Sequence, residues 1–306
     1  MYQNFADIRA KAQAIGNGKV AVAAANDSSV LGAVIEARKT GIANSILVGS
    51  RTAIEKILAD LGETEIDKYE IIDEPNDAKA AQIAVKLVRE GQANVLLKGQ
   101  LKTALLLKAA LDAETGLRSG SLLSDCLVFH TEQNGAEKLC MLTDGGVNLY
   151  PELDKKAEIV KNAIRLAHAL DIEKPRVALL AAVEVVNPKM PETLDAAIIA
   201  KMADRGQIRG AFVDGPLALD NAVSLEAAKA KKIESQVAGQ ADVLVVPNIA
   251  AGNIFGKSLT YQANLEKGHL IMGAAAPIII TSRTDVQQPK VNSIALGVVY
   301  SHFYQK

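Results

Sequence analysis

Four short stretches of this sequence place polar and charged residues directly after runs of branched aliphatic residues. They are "LLKGQLKT" (96–103), "VDGPLALDNA" (213–222), "VVPNIAAGNIFGKSL" (245–259) and "ITSRTD" (280–285). Lysine and arginine suit phosphate and carboxylate oxygens, and glycine lets a ligand approach the backbone. These residue types predict that the chain binds an anion locally, at the ends of buried strands.

The last stretch ends an apolar run on a serine, an arginine and an aspartate. Arg283 is a permanent cation, and burying it is costly unless it is paired or faces water. Its planar fork matches phosphate or carboxylate oxygens, and Ser282 adds a hydroxyl group beside it. The alternative is an ion pair between Arg283 and Asp285 on a polar rim.

The third stretch contains "AGNIFGKS", which approaches the phosphate-binding pattern GxxxxGK[ST]. Ala251 stands where that pattern needs its first glycine, and counting from Gly252 leaves the spacing one residue short. One interpretation is a helix start capped by Asn248 or Asn253. The other is that the glycines admit a large anionic ligand while Lys257 supplies the charge.

The first stretch places Lys98 and Gly99 after a buried strand, with Lys102 one helical turn further on. Two lysines at that spacing can hold phosphate oxygens together. An ordinary turn from strand to helix, with both lysines in water, explains the same residues. The composition alone does not separate these two interpretations.

The second stretch places Asp214 and Asp220 around a Gly-Pro turn. Turn formation and helix capping, with Asp220 or Asn221 as the N-cap, account for much of this pattern. A catalytic carboxylate at the end of a strand is the competing interpretation.

Alternating elements must position these stretches. Short apolar runs such as "KVAVAAA", "SILVG", "YEIID" and "NVLLKG" each precede a segment with helical spacing, and "RVALLAA", "GAFVDGP", "DVLVVPN" and "PIIITSR" form a second such series. Between the two series, "DCLVFH" and "KLCMLTD" predict a hairpin. We expect an α/β protein of two three-layer domains with mainly parallel sheets.

Composition limits the function classes. The chain has 306 residues, 49% of them hydrophobic, and its 34 basic residues nearly balance 35 acidic ones, so no positive field attracts nucleic acid. We find no signal peptide and no apolar run that would span a bilayer. Cys126 and Cys140 lack CxxC spacing, which fits core positions in a cytoplasmic protein. The histidines lack the spacing of metal ligands; they are His130, His168, His269 and His302.

In their order along the chain and in their residues, the four stretches resemble sequences of the phosphate acetyl/butyryltransferase family. The likeness is carried by "LLKGQLKT", "DGPLALDNA", "PNIAAGNIFGK" and "TSRTD", followed by a lysine and "SIALG" in the last helix. It covers essentially the whole chain, and "GNIFGK" and "TSR" are its most specific motifs.

The resemblance implies reversible transfer of a short acyl group, butyryl or similar, between coenzyme A (CoA) and inorganic phosphate. It implies no metal, no permanent cofactor and no covalent acyl-enzyme, because CoA and acyl-CoA act as substrates. It also implies an interdomain cleft and a homodimer. The first domain would comprise residues 1–127 and 288–306, with a returning C-terminal helix, and the second residues 128–287.

The resemblance also assigns roles to residues. Ser282 and Arg283 match the family's catalytic Ser-Arg pair. The acetyl-specific branch has its catalytic aspartate several residues further on, where this chain has Pro289. Asp285 is the nearest carboxylate, and Asp220 is the alternative base. The candidate residues for binding substrate or CoA are Lys98, Gly99, Lys102, Asn248, Gly252, Asn253, Gly256 and Lys257.

Acetyl instead of butyryl transfer is the main alternative function. A dehydrogenase of similar two-domain architecture is a second alternative, but no GxGxxG follows the first strand. A CoA-binding protein without activity is a third, and it would have no use for Ser282 and Arg283.

Overall fold

The computed structural model describes residues 2–281 and 286–304. The chain divides into two compact units. We call Leu122–Lys267, with Met1–Phe5, the central unit, and Ala6–Ser121 with Gly268–Lys306 the terminal unit. The sequence placed the two boundaries at 127/128 and 287/288, later in the chain than this division.

The first part of the chain alternates helices and strands. Its elements are α1 (Phe5–Ile15), β1 (Lys19–Ala23), α2 (Ser28–Lys39), β2 (Asn44–Gly49), α3 (Arg51–Asp60), a 3-10 turn (Ile66–Lys68), β3 (Glu70–Asp73), α4 (Asp77–Arg89), β4 (Val95–Lys98) and α5 (Thr103–Ala110). Strand β1 lies between β2 and β4, and β3 pairs with β2, all in parallel. Asp27 begins α2 as its N-cap, because its carboxylate accepts a hydrogen bond from the Val30 N–H.

The central unit begins with the predicted hairpin. Its elements are β5 (Ser124–Gln133), β6 (Ala136–Thr143), α6 (Leu153–Ala169), β7 (Arg176–Leu180), α7 (Pro191–Asp204), β8 (Phe212–Leu217), α8 (Leu219–Val223), α9 (Leu225–Ala230), β9 (Val243–Val245) and α10 (Ile249–Tyr261). Asn134 and Gly135 connect β5 to β6, both with positive φ, as a tight hairpin turn requires. The hairpin prediction is confirmed.

The strands of the central unit follow the order β5-β6-β9-β7-β8. Only the pairing of β5 with β6 is antiparallel, and β6, β9, β7 and β8 run parallel. The buried core of this unit includes Leu127, Leu142, Leu180 and Leu244. Cys126 and Cys140 are both buried and free, which confirms their prediction as core residues.

The chain then returns to the terminal unit through β10 (Lys267–Met272), β11 (Ile278–Ile279) and α11 (Gln287–Tyr304). Strand β10 was not predicted from the sequence. Strand β11 pairs in parallel with β4, and β10 is antiparallel to β11. Helix α11 packs against α2 and β4. The fold is therefore mixed α/β with a mostly parallel sheet, as predicted. None of the described helices is long and apolar enough to cross a membrane.

Candidate active site

In the terminal unit, the β4 strand ends on a buried lysine. Lys98 is 8% exposed, and its ammonium group donates a hydrogen bond to the Gly99 carbonyl at 3.1 Å. The next two backbone N–H groups donate to the end of β1, from Gly99 to Ala23 at 2.8 Å and from Gln100 to Ala24 at 2.7 Å. The end of β4 is thus fixed by backbone hydrogen bonds.

Gly99 is glycine because of packing inside the protein. A Cβ atom there would overlap the Ala24 carbonyl oxygen and lie 2.7 Å from the Ala23 carbonyl oxygen. Lys102 is exposed and forms the N-cap position of α5. Because a loop separates Lys98 from Lys102, the predicted one-turn helical spacing between them is wrong.

In the central unit, helix α10 follows β9. The Asn248 side chain accepts a hydrogen bond from the Ala251 N–H at 3.1 Å, so Asn248 is the N-cap and Asn253 is not. The motif "GNIFGK" lies within the helix, and neither Gly252 nor Gly256 has a positive φ. There is no phosphate-cradling loop at this position, because the N-cap starts a regular helix before the first glycine.

The two glycines of α10 differ in their surroundings. A Cβ atom at Gly252 would lie 2.7 Å from the Gly145 Cα and 2.8 Å from the Asp144 carbonyl oxygen. A Cβ atom at Gly256 would lie 3.3 Å from a methyl group of Leu127. Gly252 therefore permits a close backbone contact, whereas a small side chain at Gly256 would need only a slight shift.

Two polar candidates on α10 are exposed. Asn253 donates a long hydrogen bond of 3.3 Å from its amide to the Gly145 carbonyl. The Lys257 ammonium group has no hydrogen bond or ion pair with any part of the chain that the structure describes. Lys257 lies in the third turn of α10, and an exposed ammonium group there can bind an anionic ligand without first losing another partner.

Asp220 lies within α8 and takes part in an ion-pair network. Lys231 lies 3.3 Å from the Asp220 carboxylate and 2.9 Å from that of Glu184, which also accepts a bond from the Asn221 amide. The Asn221 backbone N–H and the Lys231 ammonium lower the pKa of Asp220. Ala218 is the N-cap of α8, so the prediction that Asp220 or Asn221 caps this helix is wrong.

The predicted catalytic residues Ser282, Arg283 and Asp285 lie outside the described residues. Strand β11 precedes them in the chain and pairs with β4 in parallel, with Ile279 opposite Leu97. The described chain before Ser282 therefore runs beside the strand that ends at Lys98.

Comparison with known protein families matches residues 67–298 to the family described as phosphate acetyl/butaryl transferase. The chain belongs to this family.

Individual relatives of this transferase family match the chain over nearly its full length. Phosphate butyryltransferase of Clostridium acetobutylicum is 48% identical over 98% of both chains. Phosphate acetyltransferase of Thermotoga maritima is 42% identical, over 94% of this chain and 96% of the relative. The crystal structure of a branched-chain phosphotransacylase from Enterococcus faecalis V583 is 33% identical, with a TM-score of 0.81, and covers 93% of this chain and 99% of that one.

Asp144 of this family member carries a buried carboxylate whose role was not predicted from the sequence. Asp144 follows β6, is 2% exposed, and accepts hydrogen bonds from the backbone of Gly146 and Val147 at 2.9 Å each. Burial raises the pKa of Asp144, and the charge of Asp125 adds to this. The run "TDGGVN" was a turn signal that the sequence analysis did not use.

Among residues 2–281 and 286–304, no group of three or more His, Cys, Asp or Glu side chains could hold a metal ion.

Burial raises the pKa of both Cys126 and Cys140, to about 11 for Cys140. Raised thiol pKa values make these cysteines poor nucleophiles near neutral pH.

Proposed function

We propose that this chain transfers a short acyl group reversibly between CoA and inorganic phosphate, giving acyl phosphate and free CoA. The observation that carries the proposal is its 48% identity, over 98% of both chains, to a phosphate butyryltransferase. The described candidate residues support it, because Lys98 supplies positive charge at the end of β4 and Lys257 supplies it within α10, the helix that follows β9.

The reaction needs no intermediate bound to the protein. In the direction of acyl-CoA formation, the CoA thiol loses a proton, and its sulfur attacks the carbonyl carbon of the acyl phosphate. The new carbon–sulfur bond replaces the carbon–oxygen bond to phosphate, and phosphate leaves with the electron pair. Negative charge grows on the carbonyl oxygen and on the departing phosphate.

We assign the residues on that basis. Arg283 stabilises the growing charge, and Ser282 donates a hydrogen bond to the carbonyl oxygen or to the sulfur. Lys98 binds phosphate or the phosphoryl group of acyl phosphate, and Lys257 binds the phosphates of CoA. The remaining proposed binding residues are Gly99, Lys102, Asn248, Gly252, Asn253 and Gly256.

The general base is proposed to be Asp285. Its competitor, Asp220, has a lowered pKa and is paired with Lys231, and a lowered pKa weakens a carboxylate as a proton acceptor. We therefore favour a structural role for Asp220, in which it fixes α8 to the neighbouring Glu184 network.

Further features stay predictions. The cysteines favour a cytoplasmic location, and the resemblance implies two three-layer domains with an interdomain cleft, a homodimer, and activity without a metal or a permanent cofactor. Treatment with EDTA tests the last of these. Phosphate-dependent transfer should survive the chelator, and activity that needs an added divalent ion would contradict it.

A panel of acyl-CoA substrates tests the proposed function and its alternatives. Release of free thiol from acetyl-, propionyl-, butyryl- and isobutyryl-CoA is measured with and without phosphate. We expect phosphate-dependent release, fastest with butyryl- or isobutyryl-CoA. Equal or faster release from acetyl-CoA would support acetyl transfer, the function named for the relative in Thermotoga maritima. Dinucleotide-dependent redox activity without thiol release would support a dehydrogenase.

Substitution of Arg283 tests its assigned role. Arg283→Ala should lower kcat by about a hundredfold, the scale expected for the loss of one electrostatic stabiliser. Lysine at this position should restore only part of the rate, because a point charge cannot grip two oxygens. The exposed Arg205 serves as the control, and Arg205→Ala should leave kcat unchanged. Near-parental turnover per folded Arg283→Ala molecule would remove Arg283 from the mechanism.

A further inference from the structure

The loop after β6 is organised around one buried carboxylate. Asp144 accepts four hydrogen bonds: from the backbone N–H groups of Gly146, Val147 and Asn148, and from the Asn148 side-chain amide at 2.6 Å. The same Asn148 amide donates to the Leu123 carbonyl at 2.8 Å. A carboxylate with this many donors fixes the conformation of residues 144–149, which we call the aspartate loop.

The aspartate loop contacts the start of α10. Three hydrogen bonds join the region of this loop to the chain around the helix start: Val246 N–H to the Thr143 carbonyl at 2.8 Å, Ile249 N–H to the Leu149 carbonyl at 3.0 Å, and the Asn253 amide to the Gly145 carbonyl at 3.3 Å. The first residue of α10, Ile249, is therefore held by the loop. So is Asn253, one of the proposed binding residues.

The contact is closest where two glycines meet. A Cβ atom at Gly145 would lie 2.9 Å from the Gly252 carbonyl carbon, and one at Gly252 would lie 2.7 Å from the Gly145 Cα. Side chains at either position would push the loop and the helix apart. The glycine pair and the hydrogen bonds thus fix the position of the first turns of α10 relative to the loop.

We propose that Asp144 is a positioning residue for CoA binding: it folds the aspartate loop, and the loop holds the first turns of α10, with Asn253 and Gly252, where CoA binds. This inference rests on the proposed function, because it assigns that part of α10 to CoA. Asp144 itself does not touch the substrate.

The substitution Asp144→Asn tests the positioning role with little change in volume. An asparagine oxygen can still accept from Gly146 and Val147, but its amide group then faces the two N–H donors of Asn148. Both hydrogen bonds from Asn148 to residue 144 are therefore lost. We expect the KM for CoA to rise about tenfold, the effect of leaving a buried donor unsatisfied, while kcat and the KM for acyl phosphate stay close to parental.

Asp242 provides the matched control. It is 3% exposed, and it accepts bonds from the Lys138 ammonium at 2.6 Å and the Arg176 N–H at 2.7 Å. Strands β6 and β9 are parallel, so Asp144, after β6, and Asp242, before β9, lie at opposite ends of this pair. Asp242→Asn should lower the melting temperature without changing the KM for CoA.

Hydrogen exchange gives a readout that does not depend on turnover. In Asp144→Asn without substrate, the amides of residues 249–253 should exchange faster than in the parent, while β9 exchanges at the parental rate. If Asp144→Asn does not fold, Gly145→Ala replaces it, because it disturbs the same contact without touching the carboxylate. An unchanged KM for CoA in a folded variant, or an equal rise in Asp242→Asn, would overturn the positioning role.

The parent protein separates this inference from the proposed function. A parent without phosphate-dependent acyl transfer would contradict the function. An active parent whose folded Asp144→Asn variant keeps the parental KM for CoA would contradict only the inference.

Discussion

The end of β4 and helix α10, which follows β9, each carry a neighbouring glycine and lysine, but in different surroundings. At β4, Lys98 is buried and Gly99 is enclosed by the backbone of Ala23 and Ala24. At β9, the chain continues into α10, where Lys257 is exposed and Gly256 has room for a methyl group after a slight shift.

This difference in burial determines how strongly each lysine binds an anionic ligand. A buried ammonium group interacts strongly with a small anion, because little water screens it. An exposed one contributes less, and added salt weakens it further. We therefore expect the end of β4 to control phosphate chemistry and overall stability, and α10 to control CoA affinity.

Gly99→Ala should have the largest effect on stability. Its methyl group would overlap backbone atoms that are held by hydrogen bonds, so we expect a loss of about 3 kcal/mol in the free energy of unfolding. Urea unfolding monitored by circular dichroism measures this. A Gly99→Ala protein of parental stability would show that the backbone at the end of β4 can move to admit a methyl group. Gly99 and Gly256 would then not differ in their tolerance of a side chain.

Lys98→Met should have the largest effect on catalysis among the described residues. Removal of a buried charge that binds phosphate should lower kcat/KM for phosphate about a hundredfold, with a smaller change in the KM for CoA. Lys156 is also buried, 2.7 Å from Asp195, and has no assigned role. If Lys156→Met reduces kcat/KM for phosphate as much as Lys98→Met, the effect of Lys98 comes from folding.

Much of the fold could be predicted from the sequence, because continuous apolar runs and the Asn-Gly turn have local causes. Strand β10 was overlooked, because "KGHLIM" begins with polar residues and has no clear strand pattern. Its pairing with β11, which involves residues further along the chain, makes it a strand. For "GNIFGK", a helix start capped by Asn248 or Asn253 was one of two open interpretations, and the structure confirms the cap at Asn248. The role of Asp144 depends on burial and on contacts with distant residues, which a single sequence does not reveal.

Lys257→Met should have a moderate effect on CoA alone. An exposed charge contributes about 1 kcal/mol, so the Kd for CoA should rise about fivefold at low salt. The difference from the parent should shrink at high salt. Lys229, also exposed in the central unit, is the control, and Lys229→Met should bind CoA like the parent. A salt-independent loss of affinity would contradict the electrostatic role of Lys257.

Gly256→Ala should have the smallest effect. Alanine favours a helix interior by about 1 kcal/mol over glycine, which offsets the slight shift of Leu127. The Kd for CoA should stay near parental for alanine and rise for Gly256→Val, whose larger side chain would press on Leu127 and Leu142 and displace α10. Calorimetric titration with CoA measures both. Parental affinity in a folded Gly256→Val protein would mean that the position of α10 does not control CoA affinity.

Phosphorus NMR tests the central claim most directly, because it detects both products of the proposed transfer. Butyryl-CoA and inorganic phosphate are mixed with the parent protein, and the acyl phosphate signal is compared with the amount of free thiol. We predict equal amounts of acyl phosphate and CoA, with both reactants restored when the products are mixed instead. Thiol release without acyl phosphate would identify hydrolysis and contradict transfer to phosphate.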